Sequence, residues 1–142
     1  MSPKVSVIVP CYNASQFIDD AISSVLKQTY KNIEIIAIDN ESNDDTYQKL
    51  SKYCDNTNFI LGTAKNIYPF CWDEARQRGL ELCTGDYITT LCSDDSYAPE
   101  YVAKCVQILD TLKDKVSLIQ SPIKGIDISG KEINTVGHSY KN

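Results

Sequence analysis

The 142-residue sequence lacks the short motifs that mark several common classes of nucleotide-binding and hydrolytic proteins. It has no Gly-x-Gly-x-x-Gly or Gly-Lys-Ser loop, which argues against a Rossmann dehydrogenase and a P-loop nucleotidase. It has no Gly-x-Ser-x-Gly elbow either. Its single histidine, His138, lies near the end of the chain, so a Ser-His-Asp or Cys-His mechanism has little to work with.

The sequence also lacks a surplus of positive charge. It contains 14 Lys and Arg against 19 Asp and Glu, which gives a net charge of -5 and an isoelectric point near 4.8. A protein that neutralises nucleic-acid phosphates needs the opposite balance, so we expect no nucleic-acid partner. An acidic protein can still bind a phosphorylated metabolite when a metal ion bridges the two sets of negative charge.

Long hydrophobic runs and paired cysteines are missing as well. Apolar runs such as Val5–Val9 and Ile33–Ile38 are strand-length and fall far short of the roughly 20 residues that cross a bilayer. The chain enters its first strand directly after Lys4, so we expect no secretory signal or transmembrane segment, and hence a cytoplasmic location. The six cysteines contain no Cys-x-x-Cys pair, which favours reduced thiols.

Strand-like and helix-like patterns alternate along the chain, whose 42% hydrophobic content suits one domain over residues 1–142. Asn13, with Gln16 three residues later, is the expected N-cap of the first helix. Alternation of this kind predicts an α/β fold with a mostly parallel sheet and helices on both faces. The expected strands are 5–9, 33–38, 59–61, 86–91 and 116–120, then a hairpin of 123–128 and 131–135, with further helices starting near Asp44, Phe70 and Pro99.

Ligands of parallel sheets bind outside the carboxyl ends of the strands, and two of the segments there are rich in acids. Asp94 and Asp95 follow the fourth strand and offer hard oxygen ligands to a Mg²⁺ or Mn²⁺ ion that also takes diphosphate oxygens. Only a turn would aim both at one ion; otherwise one binds metal and the other a sugar hydroxyl or a metal-bound water. The alternative is that the pair only ends the strand and charges the next helix.

Two other polar groups have an equally open interpretation at this level. Asp39 and Asn40 follow the second strand, where they can accept from uracil N3 or ribose hydroxyls, or merely cap the next helix. Arg76 and Arg78 lie in the third helix and offer a diphosphate one guanidinium, or form a solvated basic face.

Taken together, segments along the chain resemble the family 2 glycosyltransferases, inverting enzymes with the GT-A fold, which is a Rossmann-like nucleotide-diphospho-sugar transferase fold. The resemblance covers nearly the whole chain and keeps the family's order. The matching segments are Val5–Asn13, Ala21–Tyr30, Asp39–Asp44, Ala75–Leu80, and Thr84–Ile88 running into Ser93–Asp95.

This resemblance implies a UDP-sugar donor, a divalent metal ion (Mn²⁺ or Mg²⁺), and transfer of the sugar to a glycan or other hydroxyl acceptor with inversion. It implies Asp94 and Asp95 as the metal ligands and leaves a homo-oligomer open. The nucleotide-binding positions that it implies are Pro10, Tyr12, Asn13, Asp39, Asn40, Arg76, Ser93 and Asp94.

The chain departs from the family pattern at three points. The second acid and the glycine of the nucleoside motif are Asn40 and Glu41 here, and Cys92 replaces the first carboxylate of the metal motif. Members of the family are usually well over 200 residues long, and their catalytic base and acceptor pocket come from a C-terminal half. We therefore expect the base beyond Asn142, and donor binding without efficient transfer.

Two alternatives belong to other functional classes. The loss of the first metal-motif carboxylate and the short length favour a non-catalytic nucleotide-sugar-binding or interaction module that is degenerate or needs a partner chain. A receiver domain is disfavoured because it needs acids after the first strand, where this chain has Pro10–Asn13.

Overall fold

A computed structural model of the protein describes residues 2–67, 71–112, 115–127 and 129–133. The chain divides into two compact units, Met1–Ile108 and Leu109–Asn142. None of the helices in the described residues is long and apolar enough to span a membrane. The elements are β1 (Val5–Cys11), α1 (Ile18–Leu26), β2 (Ile33–Asp39), α2 (Thr46–Ser51), β3 (Phe59–Thr63), α3 (Cys71–Leu82), β4 (Tyr87–Thr90), α4 (Tyr101–Leu112), β5 (Gly125–Ile126) and β6 (Glu132–Ile133).

The first unit contains a four-stranded parallel sheet in the order β3-β2-β1-β4. The central strands β1 and β2 are buried along their full length, which explains why both are mainly apolar, with Ser6 and Glu34 as buried polar exceptions. Val5 lies opposite Ile33 and Cys11 opposite Asp39, so the two strands end together at their carboxyl ends. The predicted α/β fold with a parallel sheet is confirmed.

Helices pack on both faces of this sheet because alternate strand residues point to opposite sides. Val5, Val7 and Val9 share one core cluster with residues of α1, α2 and α4. Ile36 and Ile38 share the other cluster with Ala75 of α3. Gly79 lets α3 approach β1 closely, since a Cβ there would meet Ile8 Cγ2 at 2.4 Å.

A buried carboxylate fastens the amino-terminal end of the sheet, opposite the end where parallel sheets bind ligands. Glu34 in β2 accepts hydrogen bonds from Ser6 Oγ at 2.6 Å, from Thr84 N at 2.6 Å and from Thr84 Oγ1 at 2.8 Å. The ammonium group of Lys4 forms an ion pair with the same carboxylate. β1, β2 and the turn before β4 are therefore joined through one side chain.

The first helix begins later than the sequence predicts. Asn13 is not its N-cap: α1 starts at Ile18, Phe17 occupies the N-cap, and Asn13 has a left-handed backbone with φ of 47°. The amide groups of Phe17 and Ile18 both donate to the carbonyl of Ala14, so a backbone turn precedes the helix instead of a side-chain cap. The expected fourth strand 86–91 and third helix 70–83 are confirmed within one or two residues, although Phe70 lies outside the described residues.

In the second unit, β5 and β6 form an antiparallel pair that confirms the predicted hairpin over a shorter span. Ile128, Asn134 and Thr135 of that prediction lie outside the described residues. In the described part of the turn, the Asp127 carboxylate accepts hydrogen bonds from Ser129 and Lys131. The predicted strand at residues 116–120 is wrong. Leu118 there is 81% exposed, and a strand needs a neighbour to satisfy its backbone groups.

Candidate functional site

A cleft lies beside the carboxyl end of β1, where the direction of strand order reverses. The chain builds β2 and β3 on one side of β1 and then places β4 on the other, which makes the gap between β1 and β4 the topological switch point of the sheet. Residues from three different loops and from α3 meet here. The cleft is lined by Pro10, Cys11, Tyr12, Asn40, Trp72, Ala75 and Ser93.

Two of the loops beside the cleft are fastened to each other by reciprocal hydrogen bonds. The backbone amide of Asn13 donates to Ser42 Oγ at 3.0 Å, and the amide of Asn43 donates back to Asn13 Oδ1 at 2.8 Å. A further bond runs from the Asn40 amide to the carbonyl of Cys11 at 2.8 Å. The side-chain oxygen of Asn13, a predicted nucleotide contact, is therefore engaged in holding the loops together.

The Asp44 carboxylate adds further hydrogen bonds between the loop after β1 and the loop before α2. Its carboxylate accepts from the amide of Ser15 at 3.0 Å and from the amide of Thr46 at 3.0 Å, and the Thr46 hydroxyl donates to it as well. Burial alone would raise the pKa of Asp44, but these hydrogen bonds outweigh it and lower the pKa to about 2. Asp44 is thus ionised at neutral pH and fixes the loop before α2, which begins at Thr46.

The predicted base-binding pair lies buried at the end of β2. Asp39 is 4% exposed; its Oδ2 accepts from the Ser42 amide at 3.2 Å, whereas its Oδ1 has no hydrogen-bond partner within the described part of the chain. Asn40 is also buried and lines the cleft. An unpaired, buried carboxylate oxygen is costly, so a ligand that donates a hydrogen bond to Asp39 would relieve that cost.

Glu41 occupies the glycine position of the nucleoside motif, and its backbone shows why glycine suits that position. Its φ is 55°, in the left-handed region that side chains with a Cβ disfavour. The Glu41 side chain is exposed and accepts from the amide of Asn66 at 3.1 Å. The loop therefore has a left-handed backbone at this position without a glycine.

The turn after β4 brings the acidic pair together. The amide of Asp95 donates to the carbonyl of Cys92 at 3.1 Å, which bends the chain so that neighbouring side chains no longer point to opposite faces. Ligand atoms of Cys92, Asp94 and Asp95 lie within 4.8 Å of one another. A turn is what two neighbouring carboxylates need in order to face one ion, and the chain forms one here.

Two basic residues of α3 have different surroundings. Arg78 forms an ion pair with Glu81 at 2.8 Å on the surface of the helix. Arg76 lies close enough to the acidic turn to influence Cys92: burial and then the charges of Asp95 and Asp94 raise the pKa of that thiol, and the charge of Arg76 opposes the shift. Arg76 thus lies within electrostatic range of Cys92, whereas Arg78 is paired with Glu81.

One residue that lines the cleft, Trp72, was not predicted from the sequence as part of the site. Trp72 comes from the first turn of α3 and lines the cleft together with Tyr12, although its indole remains 53% exposed. In the sequence Trp72 precedes the acidic pair Asp73 and Glu74, a pattern that is typical of a surface position on an amphipathic helix. Only the approach of α3 to the end of β1 shows that it faces a cleft.

The whole-chain comparison decides the family. Residues 6–136 match the family description Glycosyl transferase family 2. The chain belongs to glycosyl transferase family 2. The matched range includes Asp39–Asp44 and Cys92–Asp95.

Two relatives in this family illustrate the range of similarity. An uncharacterised glycosyltransferase of Haemophilus influenzae is 34% identical over 98% of this chain and 42% of its own length. An Escherichia coli protein named UDP-Glc:alpha-D-GlcNAc-diphosphoundecaprenol beta-1,3-glucosyltransferase WfaP is 36% identical over 77% of this chain and 42% of its own length. The chain thus spans less than half the length of these family 2 relatives.

Solved family structures have the same fold. S. aureus TarS, residues 1–349, superposes with a TM-score of 0.70 at 26% identity over 78% of this chain and 33% of the TarS chain. The same protein in complex with UDP-GlcNAc gives a TM-score of 0.67 at 25% identity over 78% of this chain and 32% of the TarS chain. The four-stranded parallel sheet with its helices is therefore a GT-A fold.

Proposed function

We propose that this chain is the donor-binding part of a glycosyltransferase that takes a UDP-sugar and a divalent metal ion and transfers the sugar to a hydroxyl acceptor with inversion. The observation that carries the proposal is the continuity between the cleft and the acidic turn. Ser93 lines the cleft, and the two carboxylates that follow it are gathered on one turn. A diphosphate reaching from the cleft to Asp94 and Asp95 would connect a nucleoside to a metal ion.

The nucleoside end of the proposal rests on buried polar groups. Asp39 Oδ1 is unpaired within the described residues and can accept one hydrogen bond, as from the N3–H of uracil or from a ribose hydroxyl. Pro10, Tyr12 and Asn40 form the adjoining wall. The donor class is supported by two similar proteins: WfaP, whose name specifies UDP-Glc, and TarS, which was solved with UDP-GlcNAc.

The acidic turn fits a divalent metal ion by the chemistry of its donor atoms. Asp94 and Asp95 are exposed and offer hard oxygen ligands of the kind that Mg²⁺ and Mn²⁺ prefer. Cys92 Sγ lies within the same 4.8 Å group; the neighbouring carboxylates raise its pKa, but a bound ion would lower it again. A sulfur ligand discriminates against Mg²⁺, so we expect Mn²⁺ to be preferred. When bound, the ion would supply Lewis-acid stabilisation of the leaving diphosphate.

The remaining groups have positioning roles in this proposal. Arg76, beside the acidic turn, adds one positive charge to a region otherwise crowded with carboxylates. The hydrogen bonds between Asn13, Ser42 and Asn43 hold the two nucleoside loops in one arrangement before a ligand binds. We assign no catalytic base among the described residues.

The first prediction tests the metal role by calorimetry with UDP in the presence of Mn²⁺, Mg²⁺ or a chelator. We expect Mn²⁺ to strengthen UDP binding, and Asp94→Ala or Asp95→Ala to remove most of that gain, on the order of tenfold or more, because each removes a charged ligand. Cys92→Asp restores a third carboxylate and should shift the preference toward Mg²⁺.

Asp55→Ala is the matched control, because Asp55 is an exposed carboxylate in the turn between α2 and β3. It should bind UDP and Mn²⁺ as the wild type does. If UDP affinity is indifferent to metal and to both aspartate substitutions, the metal role is wrong.

A non-catalytic nucleotide-sugar-binding module is the second candidate, favoured by Cys92 in place of a carboxylate and by Glu41 in place of glycine. Robust release of UDP from UDP-sugars by this chain would support the enzyme over the module and would overturn the expectation of donor binding without efficient transfer.

A further inference from the structure

Two aromatic side chains line the cleft, one from each side of the gap between β1 and α3. Tyr12 follows β1 and is 47% exposed, and Trp72 in α3 is 53% exposed. Among the ring contacts of the described residues, the pairs are Tyr53 with Phe59 and Tyr97 with Tyr101. The Tyr12 and Trp72 rings therefore line the same space without resting on each other.

The backbone around Trp72 explains how an indole comes to face this space. α3 presents its small residues Ala75 and Gly79 to the sheet, which brings the helix axis close to β1. Trp72 lies one turn earlier, at the end of the helix that borders the carboxyl end of β1. The next two residues, Asp73 and Glu74, are exposed, and Trp72 is the large apolar side chain that the described part of this turn places at the cleft.

The remaining lining groups define the ligand that fits between these rings. Pro10, Cys11 and Ala75 give apolar surface, while Asn40 contributes a polar group at one edge and the unpaired Asp39 Oδ1 ends the neighbouring strand. A planar heterocycle has apolar faces and a polar edge, and aromatic rings bind such faces by stacking. A diphosphate has no apolar face to place against two exposed aromatic rings.

We propose that Trp72 is a nucleobase-stacking residue of the donor site, acting on one side of the base while Tyr12 borders the other. The inference rests on the proposed function, because it deepens the same site. Stacking needs no hydrogen-bond pattern on the base, so it offsets the replacement of the motif's second acid by Asn40. Trp72 thereby contributes affinity for the base at a site where Asn40 replaces one of the two acids of the motif.

The chain's composition provides a direct readout, because Trp72 is its single tryptophan. Saturating UDP with Mn²⁺ should change the intrinsic tryptophan emission of the wild type, whereas inorganic pyrophosphate with Mn²⁺ should not. Trp72→Ala should weaken UDP binding by about 5- to 150-fold, the range that corresponds to the loss of one stacked base. Trp72→Phe keeps an aromatic face and should stay within a few-fold of the wild type.

Two further measurements separate stacking from packing. Trp72→Leu keeps an apolar side chain without a π-face and should bind UDP nearly as weakly as Trp72→Ala. Pyrophosphate affinity should be the same in all Trp72 variants, since the loss belongs to the base alone. Tyr47→Ala is the matched control, because Tyr47 is a similarly exposed aromatic residue of α2 that does not line the cleft, and it should leave UDP affinity unchanged.

The outcomes distinguish this inference from the proposed function. If the wild type binds UDP by calorimetry but Trp72→Ala binds it within twofold, or if saturating UDP leaves the emission unchanged, the stacking role is overturned and the donor site stands. If Trp72→Ala weakens pyrophosphate as much as UDP, the role is structural and the inference is also overturned. If the wild type binds no UDP, both proposals fail.

Discussion

At the scale of single residues, the loops around the cleft hold two backbones in an unfavourable conformation. Asn13 and Glu41 both have positive φ, at 47° and 55°. Asparagine tolerates this region better than most residues, and here the Asn13 side chain is also held by a tertiary hydrogen bond that it accepts from the Asn43 amide. Glutamate has no such compensation beyond one exposed contact with Asn66, so its backbone strain is stored beside the nucleoside loop.

This strain leads to a prediction for Glu41. Glu41→Gly should relieve a left-handed conformation that costs roughly 1–2 kcal/mol, partly offset by the greater freedom of glycine in the unfolded chain. Glu41→Ala removes the same contact to Asn66 but keeps the Cβ, so it is the matched control. We expect the glycine variant to be more stable than the alanine variant by about 1 kcal/mol in urea denaturation. Equal stability of the two variants would show that the Glu41 backbone is unstrained.

At the scale of elements, one end of the sheet carries the candidate site and the other end holds the strands together. The carboxyl ends of β1, β2 and β4 carry the cleft and the acidic turn. The amino-terminal ends are joined by Glu34, which binds Ser6, Thr84 and Lys4. Fastening the strands at the end away from the ligand leaves the loops at the other end to differ among family members without loss of the sheet.

The Glu34 network predicts how stability depends on pH. Burial alone would raise the pKa of Glu34, but the hydrogen bonds from Lys4, Ser6 and Thr84 lower it from 4.5 to about 2. A carboxyl whose folded pKa is lowered stabilises the fold above its unfolded pKa, and this contribution is lost as pH falls from about 4.5 toward 2. The shift corresponds to a stabilisation on the order of 3 kcal/mol at neutral pH.

Urea denaturation of the wild type and Glu34→Gln at several pH values measures this contribution. The variant should be less stable by a few kcal/mol near neutral pH, and the difference should shrink below about pH 4. Glu81→Gln is the control, because Glu81 forms only an exposed pair with Arg78 and such pairs contribute little. A wild-type to Glu34→Gln difference that stays constant down to about pH 2.5 would contradict the assignment.

The same elements show where sequence patterns were sufficient. β1 and β2 are mainly apolar and were predicted nearly in full, since a strand buried on both faces is rich in apolar residues. Residues 116–120 have a similar apolar character, but no neighbouring strand in the described part of the chain pairs with them, and pairing is a property that local sequence does not contain. The prediction of an N-cap at Asn13 was wrong because this residue forms tertiary hydrogen bonds with Ser42 and Asn43.

Most of the residues that line the candidate site were predicted from the sequence, but Trp72 was not. Pro10, Tyr12, Asn40 and Ser93 were predicted from their places after strands and from the family resemblance, and the structure brings them to one cleft. Trp72 was missed because its role depends on how α3 lies against β1, which helical spacing does not reveal.

At the scale of the whole molecule, negative charge is the main obstacle to a nucleotide ligand. The net charge is -5, and Asp94 and Asp95 lie together on the turn after β4. Asp94 and Asp95 are exposed and close to the path proposed for the diphosphate. A nucleotide without metal therefore approaches a surface of its own sign, which distinguishes this protein from one that cradles phosphates with lysine and arginine.

This charge balance predicts an unusual dependence on salt. Without metal, UDP affinity should stay constant or rise as NaCl increases from about 20 to 200 mM, because salt screens repulsion between like charges. With Mn²⁺ the affinity should fall over the same range, since the ion now attracts the diphosphate and that attraction is screened in turn. Calorimetry with and without a chelator measures both series. Asp94→Asn with Asp95→Asn should flatten both, as the two substitutions remove the charges that repel UDP and hold the ion. A metal-free affinity that falls steeply with salt would instead indicate that Arg76 and neighbouring cations bind the diphosphate, and would remove the need for the acidic turn in donor binding.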